Sequence, residues 1–175
     1  MILVREAEDG DWPAIYPFFS AIVDAGETYA YPEGLSLEEA RAVWMEPAPS
    51  QVLVAIDAGG GRGRGGGAGG VARVVGSAKW GPNRPGRGAH VATASFMIDP
   101  AFAGHGIGRT LGEEVLARAR AGGYRSMQFN AVVETNRGAV HLWQSLGFQV
   151  LATVPGAFRH PQHGYVGLHV MFREL

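Results

Sequence analysis

A chain of 175 residues, 46% of them hydrophobic, can bury one substantial core and is a little over one ordinary domain in length, so a single domain over residues 1–175 is expected. A formal net charge of −1 leaves no basic footprint for nucleic acid or an anionic membrane, and no apolar run approaches the roughly 18 residues that a membrane helix needs. The absence of cysteine removes disulfides, thiolate metal sites and any cysteine-linked acyl intermediate. The first residues lack a basic stretch followed by an apolar one, so a cytoplasmic protein acting on small molecules is expected. A homodimer stays open.

The chain starts with a strand signal at Ile2-Leu3-Val4-Arg5-Glu6, then Asp9-Gly10-Asp11 as turn and N-cap. Trp12, Ile15, Tyr16, Phe19, Ile22 and Val23 recur at helical spacing, with Pro13 tolerated in the first turn. A polar and aromatic loop over 26–34 precedes Ser36-Leu37-Glu38-Glu39, a capping box that opens a second helix through Trp44 and Met45. Gln51–Asp57 and Val71–Trp80 read as strands. Between them, residues 58–70 are nearly all glycine, with Arg62 and Arg64. Such a segment cannot bury enough apolar area to offset its chain entropy, which predicts a flexible hairpin tip. A loop over 81–88 leads into a strand over His90–Ile98.

That strand runs through Asp99-Pro100-Ala101-Phe102-Ala103 into Gly104-His105-Gly106-Ile107-Gly108, where Ile107, Leu111 and Val115 open a helix. Glycines let backbone approach a ligand closely, and the first N–H groups of a helix are unpaired at its positive end, so the stretch is an anion site suited to phosphate. No Lys follows Gly108, which excludes a Walker loop, and Arg109 stands where a dinucleotide loop needs its third glycine. The helix runs through Arg120 to Gly122-Gly123, and Tyr124–Val133 reads as the next strand. Glu134-Thr135-Asn136 precedes a helix marked by Ala139, Leu142, Trp143 and Leu146 and stopped by Gly147. Phe148–Val154 and Tyr165–Phe172 read as closing strands joined by a loop over Pro155–Gly164. His160 and His163 have a loose metal-like spacing but no third ligand nearby, so no metal is expected.

The stretch Ala103–Gly108 resembles the acyl-CoA loop of the GCN5-related N-acetyltransferases, Q/R-x-x-G-x-G/A, at both small-residue positions, with Ala103 in place of Gln or Arg. Asn136 to Phe148 resembles a second block of that family, N-x-x-A-x-x-x-Y/F-x-x-x-G-F, with Trp143 at the aromatic position. The resemblance implies a single α/β domain with a mixed, mostly antiparallel six- to seven-stranded sheet, splayed in the middle and flanked by about four helices. It implies acetyl-CoA as co-substrate and no metal. The diphosphate would lie on Ala103, Gly104, His105, Gly106, Ile107, Gly108, Arg109 and Thr110, and the pantetheine arm on Phe96, Met97, Ile98 and Asn136, with Trp143 nearby. A Tyr at the Trp143 position often protonates the departing thiolate in the family. An indole N–H is not acidic enough to do so, leaving water, helix N–H groups or Tyr165. The loop after the first helix borders the acceptor in this family, which makes Glu27, Tyr29 and Tyr31 acceptor-site candidates; Phe158, before the last strand, is another.

Asn83–His90, Phe129–Asn136 and Val154-Pro155-Gly156 resemble the branch that includes the yeast proline-analogue (azetidine-2-carboxylate) acetyltransferases. In that branch Asn residues at the Asn130 and Asn136 positions matter for activity, and a further Asn falls where this chain has Thr93. Acyl transfer needs a proton acceptor for the amine, for which Glu27, His90 and Glu134 are candidates, with Asn130 orienting the acceptor. It also needs a fixed N–H donor for the thioester oxygen, available near Phe96 and Met97. The expected function is acetyl transfer from acetyl-CoA to a small amine, an amino acid or an amino-acid-like toxin such as a proline analogue, in a detoxifying role. A phosphinothricin-type or other antibiotic N-acetyltransferase is the nearest competitor. A non-catalytic acyl-CoA sensor and, on Gly104 and Gly106 alone, a nicotinamide or flavin oxidoreductase complete the field.

Overall fold

The computed structural model describes residues 1–59 and 72–175, so the hairpin tip expected over 58–70 lies, from residue 60 on, outside the described residues. Seven strands, β1 (Ile2–Glu6), β2 (Gln51–Asp57), β3 (Arg73–Pro82), β4 (Val91–Ile98), β5 (Ser126–Val133), β6 (Gln149–His160) and β7 (Gly164–Glu174), form one sheet in the order β1-β2-β3-β4-β5-β7-β6. Every neighbouring pair is antiparallel except β4 and β5. Among the described residues four α-helices flank the sheet: α1 (Trp12–Ala25), α2 (Leu37–Trp44), α3 (Ile107–Ala121) and α4 (Arg137–Ser145). The expected α/β architecture is therefore present.

The sheet is covered on both faces. Trp12, Ile15, Phe19 and Val23 of α1 and Ala40 and Trp44 of α2 bury against Val52, Val54 and Met97, while Leu111, Val115 and Leu116 of α3 and Trp143 of α4 bury against Leu53, Ala55, Ala78 and Met127. This explains why Val52-Leu53-Val54-Ala55 is apolar without alternation: successive side chains enter different cores. Helices α3 and α4 meet closely because Gly112 lacks a side chain; a Cβ there would lie 2.9 Å from Leu146 Cδ1 and 3.2 Å from Trp143 Cζ3. The expected capping box is present, with Ser36 and Glu39 exchanging side-chain and backbone bonds at the start of α2.

Two expectations need correction. Residues 155–160 continue β6 rather than forming a loop, pairing Phe158 with Val166 and His160 with Gly164. The turn signal at Pro155-Gly156 is absorbed by a register shift between Val154 and Phe158, where Gly156 takes a φ of 61°. Asp11 does not cap α1. Its carboxylate accepts from Arg5 Nη1 and Nη2 at 2.7 and 2.8 Å and from the Glu8 N–H at 2.7 Å, tying the start of α1 to β1.

The Arg5 hydrogen bonds hold the Asp11 carboxyl below the usual carboxylate range, against the opposing effect of burial. A depressed folded-state pKa contributes stability above the unfolded-state value and loses it as pH falls toward the folded-state value. Asp11→Asn is therefore expected to lower stability by about 1–2 kcal/mol at pH 7, with the deficit shrinking below about pH 4, as checked by denaturant melts of both proteins across pH.

Candidate active site

Strands β4 and β5 pair only at Val91↔Ser126 and Ala92↔Met127, then separate, although β4 stays paired with β3 as far as Ile98↔Gly76. Which backbone groups face the resulting gap follows from parity. Val91 O accepts from Asn83 N–H and Asp99 N–H donates to Val75 O, so odd positions of β4 turn to β3, whereas His90 O accepts from Arg125 N–H, so even positions turn to β5. Beyond Ala92, the backbones of Ala94, Phe96 and Ile98 therefore form an edge that no strand covers. Met97, expected with them, instead spends its backbone on β3 and buries its side chain under α1 and α2.

A ring cluster holds the gap open. Trp143 lies 4.6 Å from the ring of Phe96 on β4 and 4.9 Å from that of Phe129 on β5, and Phe129 stacks on Phe148 at 4.3 Å. Trp143 is 7% exposed and packs against rings from both strands, as part of the core. Tyr165, considered as a substitute acid, stands 76% exposed on β7.

At the wide end of the gap, β4 passes through a short 3-10 turn, Pro100–Phe102, whose first residues are fixed by Asp99 accepting from Ala101 N–H at 2.9 Å. Arg73 clamps this turn from β3, pairing with Asp99 at 2.7 Å and lying 5.1 Å from the centre of the Phe102 ring. Gly104 and Gly106 follow with φ of 80° and 78°, and a Cβ on either would meet nothing within 4 Å. Their need for glycine is conformational, and the space above them is open. Gly108 is needed for packing, since its Cβ would lie 3.2 Å from Leu142 Cδ2.

The Ala103 N–H is spent on Pro100 O and the Thr110 N–H on Gly106 O. Between them, among the described residues, the N–H groups of Gly104, His105, Gly106, Ile107, Gly108 and Arg109 have no acceptor. The neighbouring side chains look inward: His105 Nδ1 approaches the carbonyls of Phe102 and Ala103, and Arg109 reaches Ser145 Oγ at 2.7 Å and Glu113. Asn136 caps α4 by accepting from Ala139 N–H at 3.2 Å, which leaves its amide NH₂ free of any such duty.

The narrow end of the gap carries uncharged polar groups on the α1–α2 face. Asn130 Nδ2 donates to Asn83 Oδ1 at 2.7 Å, and Gln128 Nε2 donates to Asn130 Oδ1 at 2.8 Å. Carrying the β4–β5 register forward sets Thr93 level with Gln128 and Ser95 level with Asn130. Asn83 was legible as part of a loop and of the Asn83–His90 segment, not as a partner of Asn130; the alternation Gln128-Phe129-Asn130, polar on one face and core on the other, is the signal that locates its partners.

Loop residues after α1 reach this face. Tyr29 and Tyr31 stack with ring centres 5.6 Å apart and planes within 5°. The Tyr29 hydroxyl donates to Phe96 O at 2.6 Å and accepts from Phe96 N–H at 3.0 Å. Burial pushes this phenol well above its usual range, so it stays protonated. Glu27 is exposed on the same loop.

The remaining candidates lie elsewhere. His90 is exposed beyond the closed end of the gap. The Glu134 carboxylate accepts from Gly167 N–H across to β7 and is anchored at the wide end, away from Asn130. Phe158, expected on the acceptor side, lies within β6, is 7% exposed and packs with Val133 and Val166. His160 and His163 have ring centres 4.5 Å apart, and among the described residues no group of three metal-ligating side chains occurs.

Comparison with known proteins agrees with this geometry. Residues 20–148 match the acetyltransferase (GNAT) family. N-acetyltransferase aca1 of Schizosaccharomyces pombe is 36% identical over 51% of this chain, which spans only 43% of that protein's length. A GCN5-related N-acetyltransferase from Kribbella flavida is 56% identical and superimposes with a TM-score of 0.89, covering 99% of this chain and 98% of that one. A phosphinothricin acetyltransferase from Sinorhizobium meliloti, solved in complex with AcCoA, shares the fold at 21% identity, with a TM-score of 0.81 over 99% of this chain and 88% of that one. A strand edge left open beside a helix N-terminus, on a chain whose residues 20–148 carry this family's pattern, gives one conclusion: the protein belongs to the GNAT family of acetyltransferases.

Proposed function

We propose that this protein moves the acetyl group of acetyl-CoA directly to the amine of a small amino-acid-like molecule, with a proline analogue as the favoured class. The observation that carries the reading is that two sets of backbone groups without a strand partner meet in one gap: the N–H groups of Gly104 to Arg109 and the open edge of β4 at Ala94 and Ile98, with Phe96 between them held by the Tyr29 hydroxyl. They fit coenzyme A in kind and in order. Fixed N–H donors at the mouth of α3 suit a diphosphate, and the open space over Gly104 and Gly106 lets it approach. On either side of Phe96, Ala94 and Ile98 turn backbone donors and acceptors to the gap that suit the amides of an extended arm. Asn136, with its amide NH₂ free, adds a donor at the wide end.

When bound, acetyl-CoA supplies an acetyl group already activated as a thioester. The chain supplies alignment and electrostatics. The Phe96 N–H is the fixed donor for the oxygen that gathers charge, and Asn83, Asn130 and Gln128 orient the acceptor amine at the narrow end. This carboxamide array carries both donors and acceptors without net charge, which suits an acceptor bearing an amine and a carboxylate together. Glu27, on the loop that carries Tyr29, is the carboxylate nearest in sequence to this face and takes the amine proton or passes it to water. A proline-analogue acceptor implies a detoxifying role in the cytoplasm. The phosphinothricin-type reading shares this gap and differs only in acceptor.

A thiol-release screen with acetyl-CoA and a panel of proline analogues, phosphinothricin, polyamines and aminoglycosides tests the reading. Release above the acceptor-free rate with the amino-acid-like amines is expected; tight acetyl-CoA binding with no turnover on any amine would convert the protein to a sensor. In parallel, Gly106→Glu forces a side chain onto a φ of 78° and places a carboxylate among the free N–H groups. Calorimetry is expected to show CoA affinity falling by about a hundredfold or more, and an unchanged affinity would contradict the assignment.

A further inference from the structure

The Phe96 backbone carries an unusual arrangement. Its N–H and C=O face the gap, where a neighbouring strand would pair with them, and both are taken by a single side-chain oxygen from a residue far away in sequence. Leaving both groups unpaired in this half-buried place would cost about 1–3 kcal/mol each, so their capture is a reason for the loop to dock. The ring that delivers the hydroxyl is fixed: Tyr29 stacks on Tyr31 and stands edge-on to Trp44 at 6.3 Å, and Trp44 is itself buried and donates to Ser77 Oγ at 2.9 Å. The phenol oxygen is thus held on the one N–H that the proposed reaction assigns to the thioester oxygen.

We propose that Tyr29 is a positioning residue of the acyl site, whose phenol oxygen stands in for the thioester carbonyl oxygen on the Phe96 N–H. The inference rests on the acetyltransferase reading given above. One N–H cannot serve two acceptors at full strength, so the docking carbonyl takes it and the phenol gives way. When the acetyl group has left, the remaining thiol has no carbonyl, and the phenol closes back on Phe96. The N–H is satisfied with the gap empty, with acetyl-CoA bound and with CoA bound, and the exchange moves no strand. Because burial keeps the phenol protonated, it can donate to Phe96 O each time it returns.

The consequence is a difference between two ligands that share every other contact. Free CoA leaves the phenol in place, whereas acetyl-CoA must displace it. Tyr29→Phe keeps the ring, its stacking on Tyr31 and its edge contact with Trp44, and removes only the competing oxygen. Calorimetry of the full chain is expected to show acetyl-CoA binding about fivefold tighter in Tyr29→Phe than in the wild type, with free CoA unchanged within about twofold. In steady state, KM for acetyl-CoA falls while inhibition by CoA stays constant. An equal change for both ligands would make Tyr29 a structural residue and overturn the inference. Weaker acetyl-CoA binding would mean that the phenol bonds to the acyl group instead of yielding to it, and also overturns it, as does no change at all. Failure of both ligands to bind the wild type would overturn the acetyltransferase reading itself, and the inference with it.

Discussion

The structure turns on the point where β4 and β5 stop being neighbours. Parallel strands that hydrogen-bond along their whole length would leave no room for a ligand in the middle of a sheet, and here the pairing ends after Ala92 and Met127. What separates them is volume. The side chains of Phe96 and Phe129 point into the same core, touch edge-on at 6.0 Å, and both pack on Trp143 from α4.

A sheet opened in this way exposes backbone groups that must be satisfied, and the fold answers differently at each level. At the wide end the loop from Gly104 to Arg109 leaves its N–H groups to solvent, where an anion can replace water. In the middle the Tyr29 hydroxyl covers Phe96. At the narrow end Asn83, Asn130 and Gln128 bond to one another in a small network. The turn between β4 and α3 is held separately, by Arg73 and Asp99, so the anion-binding loop does not depend on the gap for its shape.

Much of this could be read from the residues. Helical and strand periodicities located the four helices and most strand ends, because amphipathic faces and caps such as Ser36–Glu39 and Asn136 are local features. The anion loop was legible because its glycines serve local conformation. What stayed hidden depends on contacts between distant segments. Nothing in Pro155-Gly156 says that the partner strand will carry the turn as a register shift, so β6 read short and Phe158 read as a loop residue. Asp11 looked like a cap because Asp before a helix commonly is one, yet Arg5 competes successfully for its carboxylate. Tyr29 was legible as an acceptor-loop residue, but its bond to Phe96 reaches across α2, β2 and β3 in the sequence.

The central claim is that an open strand edge and a helix mouth act as one backbone-built site for coenzyme A. The most direct measurement is the change in backbone amide NMR shifts as CoA is added. The account predicts saturable shifts concentrated on Gly104 to Arg109 and on Ala94 and Ile98, with the helical amides of α1 and α2 unmoved. Shifts absent from Gly104 to Arg109, or clustered instead on surfaces away from the β4–β5 gap, would contradict it.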